Sequence, residues 1–272
     1  MEIKKAIIPV AGWGTRRLPI TKVIEKCMLP VGNRPIIDYI VEDCIKAGIT
    51  QIYFVTGKKA DQLMSFYGHN LELEEFLKAR GKTEMLSMIS PPDGVEFFYT
   101  VQEKQNGNAT AVAEAIEQYN INEDVLISMG DDMFYRPDGS SEVADLIARH
   151  QPGDITILGA PINKNDKRKY GFFELDDDNK LIRIAEAVTA SEAPSNLINV
   201  NRYVVPPKFL QKVVDYSKSK TTEPEYYITT VPFSNFIKDG GVARVVPATG
   251  EYLDGGSLEG WLHANNVICG SK

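Results

Sequence analysis

A loop near the N-terminus concentrates glycine and positive charge directly after an apolar run, Ala6–Val10. It reads AGWGTRRLP and is followed by TK and by EKCMLP. Because Gly12 and Gly14 let the backbone approach a ligand closely, successive N–H groups there can form a concavity that suits anions. Arg16 adds a planar fork for phosphate oxygens, and Lys26 adds a compact charge. These residue types predict a phosphate-binding loop.

Two better-known phosphate loops do not match this segment. The dinucleotide pattern GxGxxG fails because Arg17 stands where the third glycine is required, which disfavours a dinucleotide-binding oxidoreductase. The pattern GxxxxGK[ST] fails because no Gly-Lys-Ser/Thr follows. A tight turn with solvated basic residues is the plainer alternative. The position of the loop at a strand end, where open α/β sheets bind ligands, favours a binding site.

Acidic and amide side chains elsewhere could complete such a site. Asp131 and Asp132 follow Gly130 at the end of an apolar run, and they could equally form a turn with a helix cap. Gln102 follows the run VEFFYTV, and its carboxamide could pair with a pyrimidine edge or lie free on the surface. The residues alone leave both alternatives open.

Composition limits the classes of protein and partner that need to be considered. The 272 residues are 43% hydrophobic and 25% charged with a formal net charge of −7, which disfavours a broad nucleic-acid surface. The three cysteines, Cys27, Cys44 and Cys269, show neither zinc spacing nor a disulfide framework. No run of about 18 apolar residues is present, so we expect no membrane span and a cytoplasmic location.

The first half alternates between strand and helix patterns. This alternation predicts right-handed crossovers and a mainly parallel, doubly wound sheet. The predicted strands are Ala6–Val10, Gln51–Val55, Val95–Val101, Val125–Met129 and Ile155–Leu158. The predicted helices are Pro35–Ala47, Ala60–Tyr67, Ala109–Tyr119 and Ser141–His150. We expect the polar stretch Leu71–Pro92 to be an inserted mobile helix beside the pocket.

The second half is richer in strands. The predicted strands there are Phe172–Leu175, Leu181–Glu186, Asn199–Val205 and Val242–Val246, with one helix at Pro207–Tyr216. With no linker between the halves, we expect an antiparallel extension of the same sheet. The interpretation is a single domain over residues 1–272, with a nucleotide-binding half (1–160) and a sugar-binding half (161–272).

The segment GWGTRRLPITKVIEKCMLP resembles the signature loop of the sugar-1-phosphate nucleotidyltransferases. The resemblance continues through PVGNRPIIDYIVED, ISMGDD and YLDGGSLEGW, and covers nearly the whole chain. It implies a Rossmann-like nucleotidyltransferase fold. It also implies transfer of a uridylyl group from UTP to a sugar 1-phosphate, with release of pyrophosphate. Glucose 1-phosphate is the sugar phosphate that the resemblance favours. A homo-oligomer is expected from the same resemblance, and neither nucleic acid nor a membrane is an expected partner.

The resemblance assigns roles to particular residues. Asp131 and Asp254 would bind Mg²⁺, and Arg16 and Lys26 would act on the phosphates. The nucleotide-binding residues implied are Ala11, Gly12, Gly14, Thr15, Gln102 and Gly107. The sugar-binding residues implied are Gly171, Glu186 and Asn201. Trp261 is expected to pack rather than to bind.

This chain departs from the family where the family has Glu-Lys-Pro and this sequence has Glu186-Ala187-Val188. The missing lysine ordinarily grips phosphates near the reacting centre. The chain could be a slower enzyme, could use Lys167 or Arg168 instead, or could be a nucleotide-sugar-binding regulator without turnover. The segment Glu223–Thr230 also departs from the family, which leaves open the sugar and a thymidylyltransferase activity.

Overall fold

The computed structural model describes residues 2–220 and 224–270, and these contain thirteen strands and eight α-helices. The strands are β1 (Lys5–Pro9), β2 (Pro30–Val31), β3 (Arg34–Pro35), β4 (Gln51–Thr56), β5 (Glu96–Val101), β6 (Val125–Ser128), β7 (Asp132–Tyr135), β8 (Ile155–Pro161), β9 (Lys169–Leu175), β10 (Leu181–Thr189), β11 (Leu197–Val205), β12 (Ala243–Pro247) and β13 (Glu251–Asp254). The helices are α1 (Ile36–Lys46), α2 (Asp61–Phe66), α3 (Leu71–Ala79), α4 (Asn108–Tyr119), α5 (Glu142–Ala148), α6 (Pro207–Lys218), α7 (Val231–Lys238) and α8 (Leu258–Gly270).

Nine of the strands form one mixed sheet. Strands β5, β4, β1 and β6 are parallel neighbours, as the strand–helix alternation predicts. Strand β11 runs antiparallel to β6 and also pairs with β8 and β9, while β10 pairs with β9. The prediction of a mainly parallel sheet with an antiparallel extension is confirmed, although β12 joins β8 in parallel.

Both faces of this sheet are covered, because side chains alternate along each buried strand. In β1, Ala6 and Ile8 belong to one apolar core cluster and Ile7 belongs to the other. Helix α1 packs in the first cluster through its 3–4-spaced residues, among them Ile36 and Ile40. Helices α4 and α6 pack against each other in the second cluster. The ends of the parallel strands are thereby fixed in a rigid frame.

The structure adds elements that the sequence patterns do not predict. Strands β7 and β13 form a separate two-stranded sheet, and α7 and α8 are additional helices in the second half. The strands are only four residues long, so their pairing is decided by tertiary contacts more than by local pattern.

The prediction of one helix over Leu71–Pro92 beside the pocket is wrong in the length of the helix and in its position. The segment contains α3 and a short 3₁₀-helix, Thr83–Met88, separated at Gly81, whose φ is +67°. Of the described residues in this segment, none lines the site cavity described below. Its residues instead border a different hollow next to Asp38 and the end of α2.

Each helix in the described ranges is too short or too polar to cross a bilayer.

Candidate active site

A cavity of about 550 Å³ opens where β1, β5 and β6 end. Its walls come from the N-terminal loop, from the segments after β5 and β6, and from a stretch before α7. Because the carboxyl ends of parallel strands meet at one edge of the sheet, this is where an open α/β sheet is expected to bind a ligand. The residues that line it include Gly12, Trp13, Arg16, Lys26, Gln102, Gly107, Asp131, Glu225 and Tyr227.

Gly14 shapes the N-terminal loop, Ala11–Pro19, which the sequence predicts to bind phosphate. Its φ is +64°, and a Cβ there would lie 2.9 Å from Cγ2 of Thr21 and 3.1 Å from Cβ of Lys26. The next residues turn as a short 3₁₀-helix, Thr15–Arg17, and the hydroxyl of Thr21 donates to the carbonyl of Gly14 at 2.9 Å. Both conformation and space therefore require glycine at position 14.

Gly12 has a different environment. Its φ lies outside the left-handed region, and no atom lies within 4 Å of the position that a Cβ would take. The chain's own packing does not require glycine here. A glycine facing open space in a cavity wall allows a ligand to approach the backbone closely.

Arg17 has a structural role that the sequence does not predict. Its side chain is buried, and its guanidinium donates to the carbonyl of Ser257 at 2.9 Å and lies 4.8 Å from the ring centroid of Trp261. The indole of Trp261 donates to the carbonyl of Pro30 at 2.7 Å, so Trp261 packs as predicted. Arg17 thus joins the phosphate loop to the start of α8. No local pattern in the sequence indicates this contact.

The structure brings Asp131 and Asp254 together, although they are far apart in sequence. Strands β7 and β13 pair antiparallel with Asp254 opposite Asp132, and the amide of Gly255 donates to the carbonyl of Asp131 at 2.9 Å. A Cβ on Gly256 would lie 2.8 Å from Oδ2 of Asp131 and 3.0 Å from Oδ1 of Asp254. The two carboxylate oxygens are therefore at most about 6 Å apart, which suits joint binding of one small cation.

Two cations surround this carboxylate pair. The same Cβ position on Gly256 lies 3.0 Å from a guanidinium nitrogen of Arg16. The ammonium group of Lys26 forms an ion pair with Oδ2 of Asp131. The carboxylate of Asp254 also accepts hydrogen bonds from the amide of Gly256 and the hydroxyl of Ser257, both at 2.7 Å. Arg16, Lys26 and Asp131 line the cavity, and Asp254 lies beside Asp131 without lining it.

Asp132 lies beside this pair and is partly buried. Its carboxylate accepts a hydrogen bond of 2.5 Å from the hydroxyl of Tyr252. Burial, and next the negative charge of Asp131, raise the pKa of Asp132 to about 7. In the sequence Asp131 and Asp132 form one acidic pair. In the structure their partners differ, since Asp132 accepts from Tyr252 and Asp131 pairs with Lys26.

The donor set suits Mg²⁺ that shares its coordination with a substrate. Two hard carboxylates, from Asp131 and Asp254, leave further positions for phosphate oxygens and water. Within residues 2–220 and 224–270, no group of three or more His, Cys, Asp or Glu side chains could hold a metal ion. The residues fit a metal that arrives with a phosphate ligand rather than a closed structural site.

Gln102 is oriented by the loop that follows it. Its side chain is buried, and Nε2 donates to the carbonyl of Gly107 at 2.9 Å and to Oγ1 of Thr110 at 2.8 Å. Because a carbonyl can only accept, the nitrogen end must face Gly107, and Oε1 remains available as an acceptor. The alternative of a free surface amide is wrong. A ligand group that donates a hydrogen bond, such as N3–H of uracil, would complement Oε1.

A segment from the second half closes the cavity over Gly107. The amide of Tyr226 donates to the carbonyl of Asn106 at 2.7 Å, and the amide of Ala109 donates to the carbonyl of Tyr226 at 2.9 Å. A Cβ on Gly107 would lie only 2.2 Å from the oxygen of Tyr226, so this contact requires glycine. The segment departs from the family in sequence, and no local pattern in it predicts a place in the cavity wall.

Glu225 and Tyr227, on either side of Tyr226, both line the cavity. The phenol of Tyr227 donates a hydrogen bond to the carboxylate of Glu225, and this contact raises the pKa of Tyr227 to about 12. Residue 223, at the start of the divergent segment, lies outside the described residues.

The predicted sugar residues lie on the neighbouring strands β9, β10 and β11. Gly171 on β9 and Glu186 on β10 are in contact, since a Cβ on Gly171 would lie 2.8 Å from Oε2 of Glu186. Asn201 on β11 has φ +48°, and its side chain accepts from the hydroxyl of Tyr203 at 2.7 Å. None of these three residues lines the 550 Å³ cavity itself. The charge of Glu186 is the smallest of the named contributions to the raised pKa of Tyr227, after the hydrogen bond to Glu225, burial and the charge of Glu225.

Ala187 lies where the β9–β10 register shifts, and its φ is +57°. The candidate replacement Arg168 forms an ion pair with Asp166 at 2.6 Å and lies 5.4 Å from the ring centroid of Tyr170. Neither Lys167 nor Arg168 lines the cavity. Neither residue is therefore placed to replace the family's lysine.

Comparisons with known proteins agree with this geometry. A family model described as "Nucleotidyl transferase" matches residues 5–270. A protein of Methanocaldococcus jannaschii, provisionally named UTP–glucose-1-phosphate uridylyltransferase, is 35% identical, with 98% of this chain and 93% of the relative covered. The UTP–glucose-1-phosphate uridylyltransferase of Pseudomonas aeruginosa is 31% identical, with 97% and 95% covered.

Among solved structures, the UTP-bound UGPase of Acinetobacter baumannii superposes with a TM-score of 0.85 at 26% identity, covering 98% of this chain and 93% of the other. The family match extends over nearly all of the sequence and includes the glycine loop, both aspartates and the segment that carries Gln102. The chain therefore belongs to the nucleotidyl transferase family.

Proposed function

We propose that this protein transfers a uridylyl group from UTP to glucose 1-phosphate, giving UDP-glucose and pyrophosphate. The observation that carries the proposal is the convergence of Asp131, Asp254 and Arg16 around Gly256, beside a cavity that contains Gln102. Paired carboxylates, a cation and an oriented carboxamide meet the needs of a nucleoside triphosphate. The names of the relatives support UTP and glucose 1-phosphate as the substrates.

The first half, residues 1–160, would bind the nucleotide and the second, 161–272, the sugar. Backbone amides from Ala11 to Thr15 would hold phosphate oxygens. Oε1 of Gln102 would accept N3–H of uracil, which favours uracil or thymine over cytosine because cytosine has no proton at N3. Glu186, next to Gly171, would accept hydrogen bonds from sugar hydroxyls, with Asn201 on the neighbouring strand.

The reaction requires no covalent step on the protein. An oxygen of the sugar phosphate forms a bond to the α-phosphorus of UTP while the bond from that phosphorus to the bridging oxygen of pyrophosphate breaks. Arg16 would stabilise the negative charge on the leaving pyrophosphate, and Lys26 would hold the α-phosphate. Mg²⁺ bound by Asp131 and Asp254 would neutralise phosphate charge. Catalysis then rests on positioning and on charge stabilisation.

A pyrophosphate-release assay with UTP, glucose 1-phosphate and Mg²⁺ tests the proposal. Asp131→Asn should lower turnover at least about a hundredfold because it removes a metal-binding charge. Asp145→Asn is the matched control, since Asp145 pairs with Arg136 away from the cavity and should retain activity. A panel with dTTP and other sugar 1-phosphates fixes base and sugar. Wild-type protein without release on any pair would overturn the enzyme assignment.

Ala187 supports a second candidate function, a nucleotide-sugar-binding regulator without turnover. The lysine that the family places here is absent, and Lys167 and Arg168 do not line the cavity. Calorimetry that shows UDP-glucose binding without turnover, together with activity gained in Ala187→Lys, would support this alternative. Turnover by the wild-type protein would exclude it.

A further inference from the structure

Trp13 is the most exposed large hydrophobic side chain of the N-terminal loop. Its relative exposure is 72%, the highest among the exposed large hydrophobic residues of the described chain. Within that part of the chain, no hydrogen bond or ring contact involves its indole. The chain has two tryptophans, and the other, Trp261, contacts Arg17 and the carbonyl of Pro30. Packing does not explain a bulky aromatic residue between Gly12 and Gly14.

The position of Trp13 links it to the binding site. It lines the 550 Å³ cavity and also an adjoining hollow of about 440 Å³, which has Thr21–Lys26 and Gly57–Lys59 in its walls. Gln102 lines both spaces as well. Trp13 therefore stands at the boundary of two hollows that share the proposed base-reading residue.

The chemistry of indole limits what it could contact in a nucleotide. It carries one N–H donor and no charge, so the phosphates are better served by Arg16, Lys26 and the loop amides. A base whose edge is bound by Gln102 still presents two flat faces. An aromatic side chain can stack on such a face whatever the base, because every base has a π-face.

We propose that Trp13 covers one face of the bound nucleobase and so contributes to nucleotide affinity. This inference rests on the proposed nucleotide-binding function. In this proposal the side chain of Trp13 binds the base, while the backbone amides of its neighbours Gly12 and Gly14 bind the phosphates. Stacking should strengthen the binding of every nucleotide, while choice among bases stays with Gln102.

Affinity measurements on loop variants separate stacking from other roles. Trp13→Ala should weaken UTP binding about tenfold, whereas Trp13→Phe, which keeps an aromatic ring, should stay within about threefold of wild type. Trp13→Leu keeps apolar bulk without a π-face and should behave like Trp13→Ala. Tripolyphosphate, which has no base, should bind wild type and all three variants equally.

Intrinsic fluorescence gives a readout that does not depend on turnover. In the Trp261→Phe variant, Trp13 is the one remaining tryptophan, and UTP should quench its emission while tripolyphosphate should not. If Trp261→Phe weakens folding, the difference between wild type and Trp13→Phe measures the same change.

The outcomes distinguish this inference from the proposed function. Unchanged UTP affinity in Trp13→Ala, or an equal loss of UTP and tripolyphosphate affinity, overturns the role of Trp13 and leaves the enzyme assignment intact. Failure of the wild-type protein to bind UTP overturns the proposed function and this inference with it.

Discussion

At the scale of single residues, Gly12 and Gly14 show how two glycines in one loop can serve different purposes. A Cβ on Gly14 would meet the side chains of Thr21 and Lys26, and φ there is +64°. A Cβ on Gly12 would meet no atom within 4 Å. Glycine at position 14 is required by the fold. The packing of the chain gives no such reason for glycine at position 12, where the proposed close approach of a phosphate to the backbone would supply one.

This contrast predicts opposite behaviour of two alanine variants. Gly12→Ala should unfold at the wild-type urea midpoint but raise the KM for UTP about tenfold or more, because one charge-assisted hydrogen bond contributes about 1.5–3 kcal/mol. Gly14→Ala should lose about 1–2 kcal/mol of unfolding free energy, because it forces a left-handed conformation on alanine. Urea denaturation and UTP titration of both variants check this. A destabilised Gly12→Ala would show that the loop packs more tightly than the structure indicates.

At the scale of elements, the pairing of β7 with β13 decides where Asp254 lies. Strand β7 is tied to the main sheet by Arg202 of β11, whose guanidinium donates to the carbonyl of Asp132 at 2.9 Å. The same side chain forms an ion pair of 2.7 Å with Asp43 on α1 and donates to Ser128 at 3.1 Å. One buried arginine therefore holds together four elements behind the carboxylate pair.

Arg202→Met should accordingly lower the unfolding free energy by about 3 kcal/mol, because Asp43, whose side chain is 15% exposed, would lose its cation and keep only hydrogen bonds such as that from Ser141. The matched control is Lys218→Met, which breaks an exposed ion pair with Glu117 and should change stability by at most about 1 kcal/mol. Urea unfolding of both variants measures the difference. Equal, small effects would mean that Asp43 is solvated well enough to stand alone.

At the scale of the whole molecule, the two halves share one sheet. Strand β11 of the second half pairs with β6 on one side and with β8 on the other. Strand β8, which ends at Pro161, pairs with β11 and β12, both of which come from the second half. Each of the two core clusters also contains residues from both halves. The halves can differ in ligand without being separate folding units.

This arrangement predicts a single cooperative transition in calorimetry, with equal calorimetric and van't Hoff enthalpies. A fragment of residues 1–160 should not fold by itself, because β6 and β8 would lose their partner strand and expose apolar surface. Co-expression of the fragment with residues 161–272 is the control and should restore a folded species. Two resolved transitions, or a folded fragment, would contradict the single-domain interpretation.

Much of the fold followed from local pattern. Apolar runs and 3–4-spaced apolar residues predicted the nine-stranded sheet and helices α1, α4, α5 and α6 with small shifts at their ends. Burial of apolar surface depends on periodicity within a few turns or strands, so it can be read from neighbouring residues. The position predicted for Leu71–Pro92, beside the site cavity, was wrong. Its polar residues do not indicate which part of the surface the segment packs on.

The site divides in the same way. The sequence alone determined a glycine loop with Arg16 and Lys26 at a strand end, because glycine content and local charge are properties of one short segment. The family resemblance predicted that Asp131 and Asp254 meet, and the structure places them together. Only the tertiary structure decided that Arg17 and Arg202 bind backbone carbonyls beside the site and that Tyr227 lines its cavity. Those contacts join residues far apart along the chain, and their polar atoms meet because the folded sheet fixes the ends of its strands. Periodicity within a short segment cannot predict contacts between residues that are far apart in sequence.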